Sequence, residues 1–186
     1  MNENENTITF RLILLFVFMA AGVIAKAPGD VRVVEILKAN YAWIKAYEET
    51  LNALKESEKF MPHPYSCAAG KRTVGYGHVI KSSDHFSYPM DEKFAEELLK
   101  TDFDYAMQHV RKTTGLQGNQ LLAISHFVFC LGTGNFDRST LKQKILAREP
   151  IDDEIMRWTH IKTNRGIINS SFLKKLRKME LNLFKS

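Results

Sequence analysis

The sequence predicts an α+β fold with a long amino-terminal helix, a small β-hairpin or sheet, a mainly helical carboxy-terminal lobe, and a cleft between them. Three observations support this prediction. Apolar residues recur every three or four positions in residues 31–60, glycines cluster in residues 70–77, and helical spacing returns after Asp91. A chain of 186 residues, 45% hydrophobic and 25% charged, suits one globular domain with an appendage.

The first 29 residues are predicted to be a signal peptide or a short membrane anchor. Residues 12–25, LILLFVFMAAGVIA, carry no charge and lie between Arg11 and Lys26. A helix needs about 20 residues to cross a membrane, so this shorter run better matches the apolar core of a secretory signal. The preceding stretch, MNENENTITF, is acidic where signals usually begin basic. A membrane tether through residues 8–25 and a buried core helix therefore remain alternatives, and we expect export to the periplasm, the cell envelope or the medium.

A long amphipathic helix is predicted for residues 31–60, with Asp30 available as its cap. Its apolar stripe consists of Val34, Leu37, Tyr41, Ile44, Tyr47, Leu51 and Leu54. We interpret residues 30–50 as a helical spacer and residues 51–186 as the main domain.

Pro62 and Pro64 are expected to end this helix. A glycine-centred turn between two short runs then predicts a β-hairpin. A turn centred on Gly70 places Cys67 and Thr73 opposite each other on one face. From Asp91 onward only helices are predicted, over residues 91–110, 119–131, 139–147, 151–158 and 170–184.

Glu58 is the first candidate for chemistry, because it ends the long helix where its side chain can point into a cleft. Eight residues separate Glu58 from Cys67, and five separate Cys67 from Thr73. Taken alone, a helical glutamate is usually solvated and inert. Taken alone, Cys67 is a packed thiol or half of a disulfide, and Thr73 is a strand former.

Together these residues resemble the bacteriophage-type lysozymes, glycoside hydrolase family 24, in which a glutamate, an aspartate or cysteine, and a threonine follow at this spacing. Residues 70–78, GKRTVGYGH, resemble the TxGxGH strand and turn of that family. Residues 118–136 resemble its helix and glycine-bounded exit, and residues 177–184 resemble its closing RxxE…LF. The resemblance covers residues 51–184. It departs at Lys59, Cys130 and Phe172, where glycine, an amide side chain and glycine are usual.

The resemblance implies a monomeric enzyme that hydrolyses the β-1,4 bond between N-acetylmuramic acid and N-acetylglucosamine in bacterial peptidoglycan. Glu58 would protonate the leaving oxygen, while Cys67 with Thr73 would position water or stabilise the positive charge of the transition state. Arg165 resembles a family arginine that pairs with the catalytic glutamate. His78 is expected to brace the hairpin, and Trp158 to pack in the core.

Other interpretations remain open. A lytic transglycosylase also needs a glutamate in its cleft, and a non-catalytic cell-wall-binding module would not need the triplet at all. Net charge is +5, but no nucleic-acid-binding motif accompanies it, so we expect no nucleic-acid partner. Neither cofactor nor metal is expected, since the two cysteines and six histidines lack ligand spacing. A disulfide between Cys67 and Cys130 that blocks catalysis until it is reduced is a further hypothesis.

Overall fold

The computed structural model describes residues 31–67, 70–163 and 166–186. The chain divides into two compact units, residues 1–42 and residues 43–186. Of the first unit, residues 31–42 are described and are helical, so the expected signal or anchor lies outside the described residues. No helix among those described is long and apolar enough to span a bilayer. The division into residues 1–29, 30–50 and 51–186 stays a prediction.

The described ranges contain seven helices and five strands. The helices are α1 (Val31–Glu58), α2 (Glu92–Thr114), α3 (Gly118–Leu131), α4 (Thr133–Asp137), α5 (Thr140–Ala147), α6 (Asp152–Met156) and α7 (Ser171–Lys185). The strands are β1 (Met61–Ser66), β2 (Arg72–Gly75), β3 (His78–Val79), β4 (His160–Thr163) and β5 (Gly166–Asn169). The predicted α+β class is confirmed.

Helix α1 ends abruptly at Glu58, two residues earlier than the apolar pattern suggested. Lys59 then takes a left-handed conformation with φ of 59°, and its amide donates to the carbonyl of Lys55 at 3.0 Å. This is the conformation in which helices commonly stop. A lysine occupies it at a steric disadvantage to glycine, and glycine is the usual residue of the resembled family at this position.

The three-stranded antiparallel sheet has the order β1-β2-β3, and its register corrects one prediction. Thr73 pairs with Tyr65, not with Cys67. The Cys67 amide instead donates to the Lys71 carbonyl at 2.9 Å. The pairing of the two strands is therefore centred one residue before Gly70. Gly70 follows that centre and has a positive φ of 74°. Strand β1 tolerates its two prolines because it is an edge strand.

The carboxy-terminal lobe confirms the five predicted helices with small shifts at their ends. The expectation that everything after Asp91 is helical is wrong at residues 160–169, where β4 and β5 form an antiparallel ribbon. β-branched isoleucines occur in both segments, and such residues favour strands over a helix. The short helix α4 was also missed.

Helix α3 separates two apolar clusters and contributes to both. On one side Phe127 and Val128 pack with Val110, Phe136 and Ile155. The other side carries Leu122, which packs with a second set of buried residues: Leu54, Val74, Leu99 and Phe103. The second cluster fixes the end of α1 and the strand β2 against the helical lobe.

Candidate active site

Glu58 is held against the glycine turn between β2 and β3. Its neighbour one turn earlier, Leu54, is completely buried, so the end of α1 is anchored. A Cβ built on Gly77 would lie 2.9 Å from Oε2 of Glu58, and Gly77 has φ of 83°. The positive φ therefore favours glycine at this position, and a larger residue there would displace the Glu58 carboxyl.

The environment of Glu58 favours the protonated carboxyl. Burial raises the pKa of Glu58, and the nearby His126 opposes this by lowering it. Desolvation has the larger effect, so the net direction of the pKa is upward. A carboxyl that keeps its proton towards neutral pH can serve as a general acid.

A fully buried polar cluster lies in the helical lobe near Glu58; we call His126, Arg177 and Glu180 the buried trio. All three side chains are completely inaccessible to solvent. Nδ1 of His126 lies 2.6 Å from Oε1 of Glu180. Nη2 of Arg177 donates to the same oxygen at 2.7 Å, and its guanidinium lies 4.6 Å from the centre of the Phe127 ring.

Cys130 lies one helical turn after His126 and joins the same neighbourhood. Burial raises the pKa of its thiol, and the carboxylates of Glu180 and Glu58 raise it further against the opposing charge of Arg177. The side chain is therefore a protonated thiol, which is a poor partner for disulfide exchange. Both Cys130 and Cys67 are free thiols in the structure. The proposed redox control stays a prediction.

Cys67 and Thr73 lie on the β1–β2 ribbon but do not pair with each other. Cys67 is partly buried just after β1, where its carbonyl accepts the amide of Gly70 at 2.8 Å. Thr73 is buried, and its hydroxyl donates to the carbonyl of Tyr65 at 3.4 Å. Both side chains are held by the backbone geometry of the same turn.

His78 ties the sheet to the helical lobe. Its Nδ1 lies 2.7 Å from Asp102 on α2, and its Nε2 lies 3.2 Å from Asp84. The hydrogen bond that His78 donates to Asp102 raises the pKa of His78, and Asp84 adds to this against the opposing effect of burial. With both ring nitrogens occupied, His78 acts as a brace. Trp158 packs edge-on against Phe127 at 5.4 Å between ring centres, as core residues do.

A shallow groove of about 220 Å³ begins at Gly77 and runs across the face of α2 and α3. Its walls include Val79, Asp102, Tyr105 and Phe129. Tyr105 is 66% exposed, which is unusual for so large an aromatic ring. Glu58 does not line this groove, but it lies against Gly77, which does.

Several residues of this site escaped the sequence interpretation. The arginine it assigned to the glutamate, Arg165, lies outside the described residues. Its assignment therefore stays a prediction. Among the described residues, Arg177 belongs to the buried trio near Glu58, and the RxxE pattern contained it together with Glu180. The sequence did indicate that His126 is unusual, because it is a histidine in a helix that is otherwise almost wholly apolar. Within the described ranges, no group of histidine, cysteine and acidic side chains could hold a metal ion.

Comparison with known proteins gives consistent results. The phage lysozyme family profile matches residues 55–180. An endolysin of Acyrthosiphon pisum secondary endosymbiont phage 1 is 30% identical over 143 residues, which are 75% of this chain and 97% of that protein.

Two solved structures share the fold at 22% identity. The endolysin from Escherichia coli O157:H7 phage FAHEc1 has a TM-score of 0.60 over 73% of this chain and 89% of its own. The muramidase domain of SpmX from Asticaccaulis excentricus has a TM-score of 0.64 over 74% and 95%. At this level of identity these likenesses establish the fold alone.

Proposed function

Because this chain belongs to the phage lysozyme family, we propose that it hydrolyses the β-1,4 bond between N-acetylmuramic acid and N-acetylglucosamine of bacterial peptidoglycan. Family membership makes it a lysozyme-type enzyme. The finer assignment rests on one observation, the Glu58 carboxyl held against Gly77, a residue that lines an open groove. Burial favours the protonated form of this carboxyl.

The acid step follows from this placement. Glu58 gives its proton to the glycosidic oxygen as the bond from that oxygen to the sugar carbon breaks. The departing sugar leaves as a neutral alcohol, and positive charge develops on the sugar that remains. Burial of the site raises the pKa of this carboxyl, which favours the protonated form that the step requires.

In this proposal Cys67 and Thr73 position the water molecule that attacks the sugar. The Thr73 hydroxyl is oriented by its bond to the Tyr65 carbonyl, which leaves its oxygen lone pairs to accept from water. Cys67 stands at the neighbouring turn, with Lys71 and Arg72 following it in sequence. Water adds to the sugar carbon and releases one proton to solvent, and Glu58 takes one proton back from solvent. The enzyme is thereby restored, and the products differ from the substrate by one molecule of water.

The groove beyond Gly77 suits a glycan that extends past the bond being cut. Tyr105 offers an exposed ring with a polar tip, and such amphipathic surfaces suit sugar faces. A net charge of +5 also favours an anionic wall polymer. The proposal also includes export of the protein, a monomeric state, and residues 8–25 as a candidate membrane tether.

The decisive substitution is Glu58→Gln, which keeps the shape of the side chain and removes its acid. We expect the clearing of a peptidoglycan suspension to fall by at least about a hundredfold, the usual contribution of a general acid. Glu56→Gln is the matched control, because Glu56 is exposed on the same helix and its loss leaves clearing unchanged. Clearing by Glu58→Gln at the parental rate would reject the assignment.

Mass spectrometry of the released muropeptides separates this proposal from its rivals. Hydrolysis gives reducing ends that carry the added water, whereas a lytic transglycosylase gives anhydro ends. A non-catalytic binding module releases no fragments from either parent or variant.

Cys67 is tested by a pair of substitutions. Cys67→Asp keeps substantial activity because a carboxylate can also orient water, while Cys67→Ala loses most of it. Ser66→Ala, at an exposed neighbouring position, is the control and stays at the parental rate. Equal rates for all three variants and the parent would make Cys67 merely structural.

A further inference from the structure

The positive charge of this chain is concentrated in one stretch of the sequence. Residues 155–179 contain seven lysines and arginines and no aspartate or glutamate. The whole chain carries a net charge of +5, so the residues outside this stretch together carry −2. Charges that only keep a protein soluble are mixed in sign and spread over its surface. The concentration in one stretch indicates a local surface that attracts negative charge.

The same stretch contains the β4–β5 ribbon, which is apolar on both faces. Ile167 and Ile168 are consecutive in β5, so their side chains point to opposite faces of the ribbon. Ile167 is 72% exposed and Ile168 is 50% exposed. All four residues of β5 are exposed, and neither isoleucine belongs to an apolar cluster of the core. The ribbon therefore presents aliphatic side chains to its surroundings on both sides.

The start of α7 is fixed beside this ribbon. Strand β5 ends at Asn169 and α7 begins at Ser171. Between them, the Ser170 amide donates to the carbonyl of Thr159 at 2.8 Å, immediately before β4. The Ser170 hydroxyl accepts the amide of Leu173 at 3.2 Å and so caps the helix. The exposed side chains of the first turn of α7 consequently lie next to the ribbon.

Exposed residues of α7 extend the apolar surface with cations. Phe172 is 49% exposed, and Lys174, Lys175 and Lys178 are exposed as well. Positions three or four apart share a face of a helix, so Lys175 neighbours Phe172 and Lys174 neighbours Lys178. None of these three lysines forms an ion pair with another described residue, whereas Lys185 at the far end of the helix does. Their charges are available to an external partner.

Aliphatic side chains on two faces, with cations beside them, suit a membrane surface better than other partners. A flat protein surface would cover one face of the ribbon and leave the other in water. An anionic wall polymer would pair with the lysines but offers no apolar medium for the isoleucines. The boundary of a lipid bilayer surrounds whatever enters it, so it covers both faces, and anionic headgroups attract lysines near the surface.

We propose that this surface docks the protein on the anionic headgroups of a phospholipid membrane. The docking surface consists of Ile167, Ile168, Phe172, Lys174, Lys175 and Lys178. The two isoleucines enter the boundary between headgroups and acyl chains, while the lysines contact phosphates. Insertion is shallow, because the unpaired backbone groups at the edges of a two-stranded ribbon need water or headgroups as partners. None of these residues lines the groove at Gly77, so docking is independent of the proposed catalysis.

Binding of the full chain to lipid vesicles tests the docking surface without using activity. Vesicles of phosphatidylcholine alone are compared, by sedimentation, with vesicles that also contain phosphatidylglycerol. We expect tighter binding to the anionic vesicles, and a difference that shrinks as salt is added. A tether through residues 8–25 would bind both kinds of vesicle alike, so the difference between them measures docking by the lysines. Equal binding to both would overturn the proposal.

The charge requirement is tested by changing the three lysines of the docking surface to glutamine together. Binding to the anionic vesicles should fall by on the order of a hundredfold, because each lysine near such a surface contributes to binding. The matched control makes the same change in net charge at three exposed lysines of α2: Lys93, Lys100 and Lys112. This control should lose much less binding. Equal losses would mean that net charge alone drives binding, and the proposal would fail.

The apolar requirement separates a lipid surface from a wall polymer. Ile167→Ser should weaken binding to the anionic vesicles by about tenfold, because the side chain no longer gains from leaving water. Leu146→Ser is the control, since Leu146 is 56% exposed but lies outside the docking surface, and it should bind like the parent. If Ile167→Ser also binds like the parent while the lysine variant does not, the surface is a general polyanion site, and docking on lipid is rejected.

Discussion

Two histidines of this chain each lie beside carboxylates, and they differ at the second ring nitrogen. Both nitrogens of His78 are occupied, one by Asp102 at 2.7 Å and one by Asp84 at 3.2 Å. His126 has one nitrogen bound to Glu180 at 2.6 Å, and its Nε2 has no hydrogen-bond partner among the described residues. Two bound nitrogens fix the orientation of the His78 ring, whereas the His126 ring is held through one nitrogen and through its burial.

The two sites also differ in their access to solvent. The His78 side chain is 7% exposed and its partner Asp102 is 28% exposed, so water can reach the edge of this brace. The buried trio has no exposure at all. Electrostatic interactions are stronger where water is excluded, so a change at the trio should cost more than the same change at the brace.

The largest expected effect is at Arg177. Arg177→Met leaves the Glu180 carboxylate buried without its guanidinium, and loss of one partner of a buried ion pair costs about 3–5 kcal/mol. We expect a decrease of that size in the free energy of unfolding, measured in urea. The control is Lys45→Met, because the Lys45–Glu49 pair is 65% and 67% exposed, and such a pair contributes about 0.5 kcal/mol or less. A loss near 1 kcal/mol for Arg177→Met would show that the trio is not strongly coupled.

A smaller effect is expected at His78, and its sign depends on pH. The pKa of His78 is raised above its ordinary value of 6.5 by its carboxylate partners. Its contribution to stability is therefore complete below pH 6.5 and is lost as pH rises through the raised pKa. His78→Gln should lower the free energy of unfolding by about 1–2 kcal/mol at pH 5 and by less at pH 9. An equal loss at both pH values would mean that the ion pairs with His78 contribute nothing.

The brace and the trio also differ in how far the sequence could predict them. The turn of residues 73–78 and Glu58 are close in the chain, so the spacing together with the family resemblance placed them in one site. The partners His126 and Glu180 are 54 residues apart in the sequence. No local sequence pattern indicates that α3 and α7 bring these two side chains within hydrogen-bond distance. Arg177 and Glu180 were visible as a pattern, but their burial was not.

The errors of fold prediction have the same origin. Helices were found because each carries its own apolar period. The prediction of the strand register was wrong because a shift of the turn centre by one residue changes each residue's partner by two positions. Gly70 fits the turn in either register, so the sequence does not distinguish the two. The β4–β5 ribbon was missed because its pattern is short and follows a run of helices.

The smallest effect is expected at Asp84, the weaker partner of the brace. Asp102 accounts for the largest share of the raised pKa of His78, and Asp84 for less. Asp84→Asn should therefore move the NMR midpoint of His78 to lower pH, but by less than Asp102→Asn does. A larger shift in Asp84→Asn than in Asp102→Asn would mean that Asp84 is the main partner of His78, and the description of His78 as a brace anchored on α2 would fail.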